Sequence, residues 1–147
     1  MSWSSATLSD ASSLEKHEAE INDLTSSDWN DKISVAKELI GDRIEIALKD
    51  RGYDDYIDYT NDEDIKDLVA NPTVMNLSSD FLTLSLIFVD LASGQETGTY
   101  AWKRDYYNDK YQEQMEIDLQ RIDLDLDQDD DTDIYNEDIT DFGKVIR

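Results

Sequence analysis

An all-α fold, a helical bundle of about four to five helices with an extended acidic C-terminal arm, is predicted by three features of the sequence. Apolar residues recur at steps of three and four over long stretches, and glycine or proline falls at the ends of those stretches. The period changes to two only from residue 122, where the chain reads Ile-Asp-Leu-Asp-Leu-Asp. With 147 residues the chain has room for one domain with an ordinary core. The bundle is assigned to residues 1–126 and the arm to residues 127–147.

The first helix is predicted over residues 9–24, with Ser9 as its N-cap and Leu14, Ile21 and Leu24 on one face. A second runs over residues 28–51, where Trp29, Ile33, Ala36, Ile40, Ile44, Ala47 and Leu48 share a face. Gly52 follows, where a left-handed C-cap belongs, and Gly41 inside the helix suits a close helix crossing. Residues 53–59 read as a connector with aromatic anchors. Asn61 caps a short helix over residues 62–70, which Asn71-Pro72 ends because a residue before proline avoids helical geometry. Residues 73–91 form an apolar central helix with Leu77, Phe81, Leu84, Phe88 and Leu91 on one stripe. After a loop at residues 94–98, a long helix over residues 99–122 carries Tyr100, Tyr107, Tyr111, Met115 and Ile122 near one face. The expected core is Trp29, Ile33, Ile40, Ile44, Leu77, Phe81, Leu84, Phe88, Tyr107 and Tyr111.

Thirteen Lys+Arg against 36 Asp+Glu give a net charge of −23, which repels phosphate backbones and anionic headgroups alike. Direct sequence-specific binding to nucleic acid is therefore not expected, nor is a membrane partner. An aromatic content of 10% exceeds that of acidic disordered chains, so a core should form. There is no cysteine, which removes disulfides, thiolate metal sites and thiol nucleophiles. The N-terminus lacks the basic start and apolar run of a signal peptide. The mainly apolar run over residues 81–91 falls short of the roughly 20 residues that span a bilayer.

Neither a catalytic site nor a cofactor is predicted. The single His17 lies among Glu15, Glu18 and Glu20 in a polar stretch and reads as a surface residue. An EF-hand beginning at Asp127 places carboxylates at Asp127, Asp129, Asp131, Asp133 and Asp138. It then fails, with Thr132 where the loop requires glycine and Asp138 where a bidentate glutamate is usual, so no metal is assigned. Pairs such as Asp54-Asp55 and Glu63-Asp64 are expected by chance among so many acids.

Candidate partner-binding residues fall in two places. Trp102 and Arg104 lie beside Tyr106 and Tyr107, and Trp, Tyr and Arg dominate interface hot spots. The second place is the arm, where residues 122–141 hold ten acids and no Lys or Arg. Alternating Leu124 and Leu126 suit strand addition to a neighbouring sheet. Ile134, Tyr135, Ile139, Phe142, Val145 and Ile146 supply apolar anchors that a purely solvating tail does not need.

The order of elements resembles the head-tail connector, or adaptor, proteins of tailed bacteriophages. The likeness rests on the early capped helix, the helix closed by Gly52, Asn71-Pro72, the apolar helix over residues 77–91, and the tyrosine-rich helix after it. In that last helix Lys103-Arg104-Asp105-Tyr106-Tyr107 and Lys110-Tyr111 stand where the family has a pattern of the type Lys-x-x-x-Tyr. The resemblance covers roughly residues 24–126. It implies a virion protein of the phage neck, present in the host cytoplasm during assembly, that forms a homo-oligomeric ring, commonly a dodecamer. Such a ring joins the portal protein to further neck or tail proteins, with the arm docked on the portal. A negative lumen that does not adhere to passing DNA is a physical reason to tolerate the charge. The alternative is an acidic DNA-mimic inhibitor of a nucleic-acid-binding enzyme.

Overall fold

The computed structural model describes residues 2–24, 29–57, 60, 63–127 and 132–134. Among them are four α-helices: α1 (Ala11–Glu15), α2 (Asn30–Asp50), α3 (Asn76–Ala92) and α4 (Thr99–Leu119). Single 3-10 turns at Ile21–Asp23, Tyr53–Tyr56, Ile65–Leu68 and Pro72–Met75 join them. The described residues contain no strand, only isolated bridges from Leu124 to Val69 and to Ile134. The fold class is therefore all-α.

Helix α2 follows its sequence pattern closely. Ala36, Ile40, Ile44 and Leu48, each four residues apart, are all buried, because side chains at that spacing stack on one face. Gly52 ends the helix at φ 84°, a conformation open to glycine at little cost. Gly41 serves a close approach, to the N-terminal segment and the 3-10 turn at Ile65–Leu68 and not to another α-helix. A Cβ there would lie 3.0 Å from Trp3 Nε1 and 3.1 Å from Lys66 Cδ.

Helix α3 is the centre of the fold. It packs most extensively on α4 and to a lesser extent on α2. Leu84, Ile87 and Phe88 are fully buried, and so are the polar residues Ser78, Ser79 and Thr83, with Asp80 nearly so. The segment Pro72–Ala92 has the length and hydropathy of a membrane span. The hydroxyls of Ser78 and Ser79 and the Asp80 carboxylate instead meet partners within the chain, as a core helix requires, and only the Thr83 hydroxyl of these four meets none among the described residues. Leu77 departs from the expected core and is 38% exposed, because this end of α3 turns Ser78 and not Leu77 toward α4. Ile33 and Phe81 are half-buried, while the remaining expected core positions are buried.

Three boundaries differ from the sequence reading for tertiary reasons. The first helix shrinks to α1, capped by Asp10, whose carboxylate accepts from Ser13 N while Asp10 N donates to Ser13 Oγ. Ser9 does not cap. Its hydroxyl points into the core toward Ser79 and Asp80, and the chain then bends so that both Leu14 and Ile21 are buried. Leu24 is left exposed. The short helix before Pro72 is one 3-10 turn capped by Asp64, and Asn61 lies outside the described residues. Ala70 N donates to the Asp123 carbonyl and Asp125 N to the Leu68 carbonyl. That pairing holds Val69 extended against residues 123–125, where helical propensity alone would have continued the turn. Helix α4 ends at Leu119, and Ile122 and Leu124 are fully buried beyond it.

Candidate interaction surface

Helix α4 starts at Gly98, whose φ of 107° suits glycine, and buries Tyr107, Tyr111 and Met115 at steps of four. Its opposite side carries Trp102, Tyr106 and Ile117, all exposed, with Trp102 at 63%. These outer aromatics are ordered by the inner ones. The Trp102 and Tyr106 rings stack at 5.2 Å and 16°, and Tyr106 meets Tyr107 edge-on at 5.1 Å. Tyr107 in turn stacks on the buried Phe88 at 5.9 Å and 7°. A run of rings thus links the core to the surface, and Lys110 Nζ lies 5.5 Å over Tyr106. A fixed, exposed Trp-Tyr pair is the type of anchor that loses little side-chain entropy on binding.

The basic residues beside this pair are engaged within the chain. Lys103 Nζ lies 2.7 Å from Glu18 Oε2, and the other oxygen of Glu18 accepts from the Tyr107 hydroxyl at 2.8 Å. Burial, then the bond to Glu18, raises the Tyr107 phenol well above its ordinary range. Arg104, expected to face a partner, is half-buried. It donates to Asp105 Oδ1 at 2.9 Å and to the Gln95 carbonyl at 3.2 Å, so it shapes the loop before α4. Of the two contact residues predicted on this helix, Trp102 alone is presented outward.

The arm residues divide. Leu124 is buried in the chain's own core, and Leu126 and Ile134 are half-buried against it. The alternating segment therefore pairs internally: Leu124 N donates to the Ile134 carbonyl and Ile134 N to the Leu124 carbonyl. Contact with the body continues past residue 126, the boundary drawn from composition. Tyr135, Ile139, Phe142, Val145 and Ile146 lie outside the described residues.

Two polar clusters also form. Asp80, nearly fully buried, accepts from Ser9 Oγ and Ser13 Oγ at 2.7 Å each through Oδ1, and His17 Nε2 lies 3.3 Å from its Oδ2. His17, read from the sequence as a surface residue, is half-buried, with its ring 5.2 Å from Phe81. A hydrolytic triad needs its hydroxyl on the imidazole and its carboxylate behind the ring. Here both hydroxyls donate to the carboxylate, so the cluster fastens the N-terminal segment to α3. No periodicity announces it, since Asp80 follows Ser78-Ser79 just before the apolar run over residues 81–91. The second cluster brings the carboxylates of Asp125, Asp127 and Asp133 within 4.8 Å of one another. Asp133 Oδ2 accepts from Leu126 N at 2.8 Å, which holds Asp133 beside Leu126 and next to the Leu124-Ile134 pairing.

Helix α2 also holds an outward apolar surface that its sequence pattern does not announce. Val35, Leu39 and Ile46 are exposed, and with Asp42 they follow a 4-3-4 spacing on the side away from Ile40 and Ile44. The stronger core stripe of the same helix masks this second one. No protein-family model, curated protein or solved structure matches the chain.

Proposed function

We propose that this protein is a structural connector subunit, which works by contact with copies of itself and with neighbouring proteins in a larger assembly. The observation that carries the reading is the Trp102-Tyr106 pair, held outward by ring contacts that run back to Phe88. Large apolar groups fixed in solvent at an ordering cost already met within the fold suit an interface. The phage neck is the assembly to which the resemblance points, with a ring of subunits between the portal and the tail. Ring closure requires a heterologous contact, in which different patches of the subunit meet. Trp102 on α4 supplies one such patch.

The alternative of an acidic DNA mimic draws on the outward side of α4, where Asp109, Glu113 and Glu116 are exposed along one face. Native mass spectrometry and negative-stain imaging, with and without a candidate portal protein, separate the two. The connector reading expects ring-sized species that Trp102→Ala shifts toward smaller ones. A monomer at every concentration that ignores the portal and inhibits a DNA-binding enzyme overturns it.

A further inference from the structure

We infer that the outward side of α2 is a docking site for a basic amphipathic helix of another protein. The site is built from Val35, Leu39 and Ile46 around Asp42. These four fall within about 60° of one another on the helix and span about 17 Å, roughly three turns. Their 4-3-4 spacing is that of the a and d positions of a coiled-coil seam, which accepts one helix laid along it. Val35 and Leu39 are 42% and 43% exposed and Ile46 61%, and it is their alignment on one seam, not their exposure singly, that suits an interface.

Charge selects the occupant. Asp31, Glu38 and Asp42 are exposed on this side of α2, while its cations are engaged within the chain: Lys49 with Glu45 at 2.9 Å, Lys32 with Asp90 at 2.8 Å and Arg43 with Gln112 at 3.2 Å. A second copy of the chain fits poorly. Parallel pairing sets Asp42 against Asp42, antiparallel pairing sets it against Leu39, and both bring the flanking acids together. A helix with leucine or isoleucine at the same spacing, and lysine or arginine opposite Asp42 and at its edges, fills the seam and neutralises the rim. The net charge of −23 also favours encounter with such a partner. The inference stands on α2 alone and does not depend on ring assembly.

The probe is a fluorescent 18-residue peptide of leucine and lysine, with the leucines at steps of three and four, titrated into the full chain at physiological salt. A peptide of the same composition, scrambled so that no apolar face forms, is the control. The amphipathic peptide should bind at least about tenfold more tightly than the scramble. The double substitution Leu39→Ser and Ile46→Ser should weaken it about tenfold, as should Asp42→Lys, with the helical circular-dichroism signal unchanged because all three sites are exposed. Equal affinity for both peptides, or an unaltered affinity after these substitutions, overturns the proposal. So does self-association that the double substitution abolishes, which makes a second copy the occupant. So does a tenfold gain in peptide affinity on deleting residues 135–147, which makes the chain's own C-terminus the occupant.

Discussion

The Ser78 hydroxyl donates a 2.6 Å hydrogen bond to Asp118 Oδ2, joining α3 to α4 where both side chains are fully buried. The other oxygen, Oδ1, accepts from Gln114 Nε2 at 2.9 Å and lies 3.7 Å from Arg121. A buried carboxylate is tolerated only with such partners. Ser78→Ala removes a donor and leaves the carboxylate in place, which should cost about 1–3 kcal/mol. Asp118→Ala should cost at least as much. In a double-mutant cycle by urea denaturation, the two changes together should cost less than the sum by about 1 kcal/mol or more. Strict additivity would mean that the bond does not couple the helices.

Alkaline pH should act on the fold through Tyr107. Burial and the bond to Glu18 raise its phenol in the folded state, so folding favours the protonated form. That contribution is fully present below the ordinary tyrosine value of about 10 and is lost as pH rises above it. Urea midpoints measured between about pH 8 and 11 should therefore fall more steeply for the parent than for Tyr107→Phe. Parallel curves would show that the phenol contributes nothing to the pH dependence. Tyrosinate absorbance should also lag behind that of the unfolded chain, and burial raises Tyr53 in the same direction.

Asp80 organises the N-terminal segment, since Ser9, Ser13 and His17 all meet its carboxylate. Asp80→Ala leaves two hydroxyls and the imidazole facing an apolar void. A loss of about 2–4 kcal/mol is expected from hydrogen bonds to a charged group removed on one side. Hydrogen exchange should locate the loosening in residues 9–24 more than in α2. Uniform loosening across the chain would instead make the cluster part of the global core.

The elements that were legible in the sequence are those whose own periodicity matches their burial. In α2, the steps from Ala36 to Leu48 and the glycine at 52 sufficed. The Trp102 surface was also legible, because an aromatic beside inward tyrosines on a charged helix has few other places to face. What escaped depends on contacts between distant segments. Ser9 reads as a cap until Asp80 lies opposite it, and His17 reads as solvated until Phe81 lies beside it. Leu124 and Ile134 read as partner-binding positions because alternating Leu and Asp looks the same whether the strand-like segment pairs with a partner or with its own chain.

The return of the chain to Leu124 gives the last prediction. Leu124 is fully buried and meets both Val69 and Ile134, so Leu124→Ala should cost about 2–5 kcal/mol. Leu126→Ala, at a half-buried site, should cost less. Deleting residues 127–147 removes Ile134 and the Asp133 carboxylate that accepts from Leu126 N. It leaves α1 to α4 intact in sequence, so the helical circular-dichroism signal should persist while the urea midpoint falls. A truncation after residue 134 keeps that contact and should restore most of the midpoint. If truncation after residue 126 leaves the midpoint unchanged, the Leu124-Ile134 contact does not stabilise the body, and the composition boundary at 126 is also the boundary of the fold. If truncation after residue 134 fails to restore it, the stabilising segment lies farther toward the C-terminus.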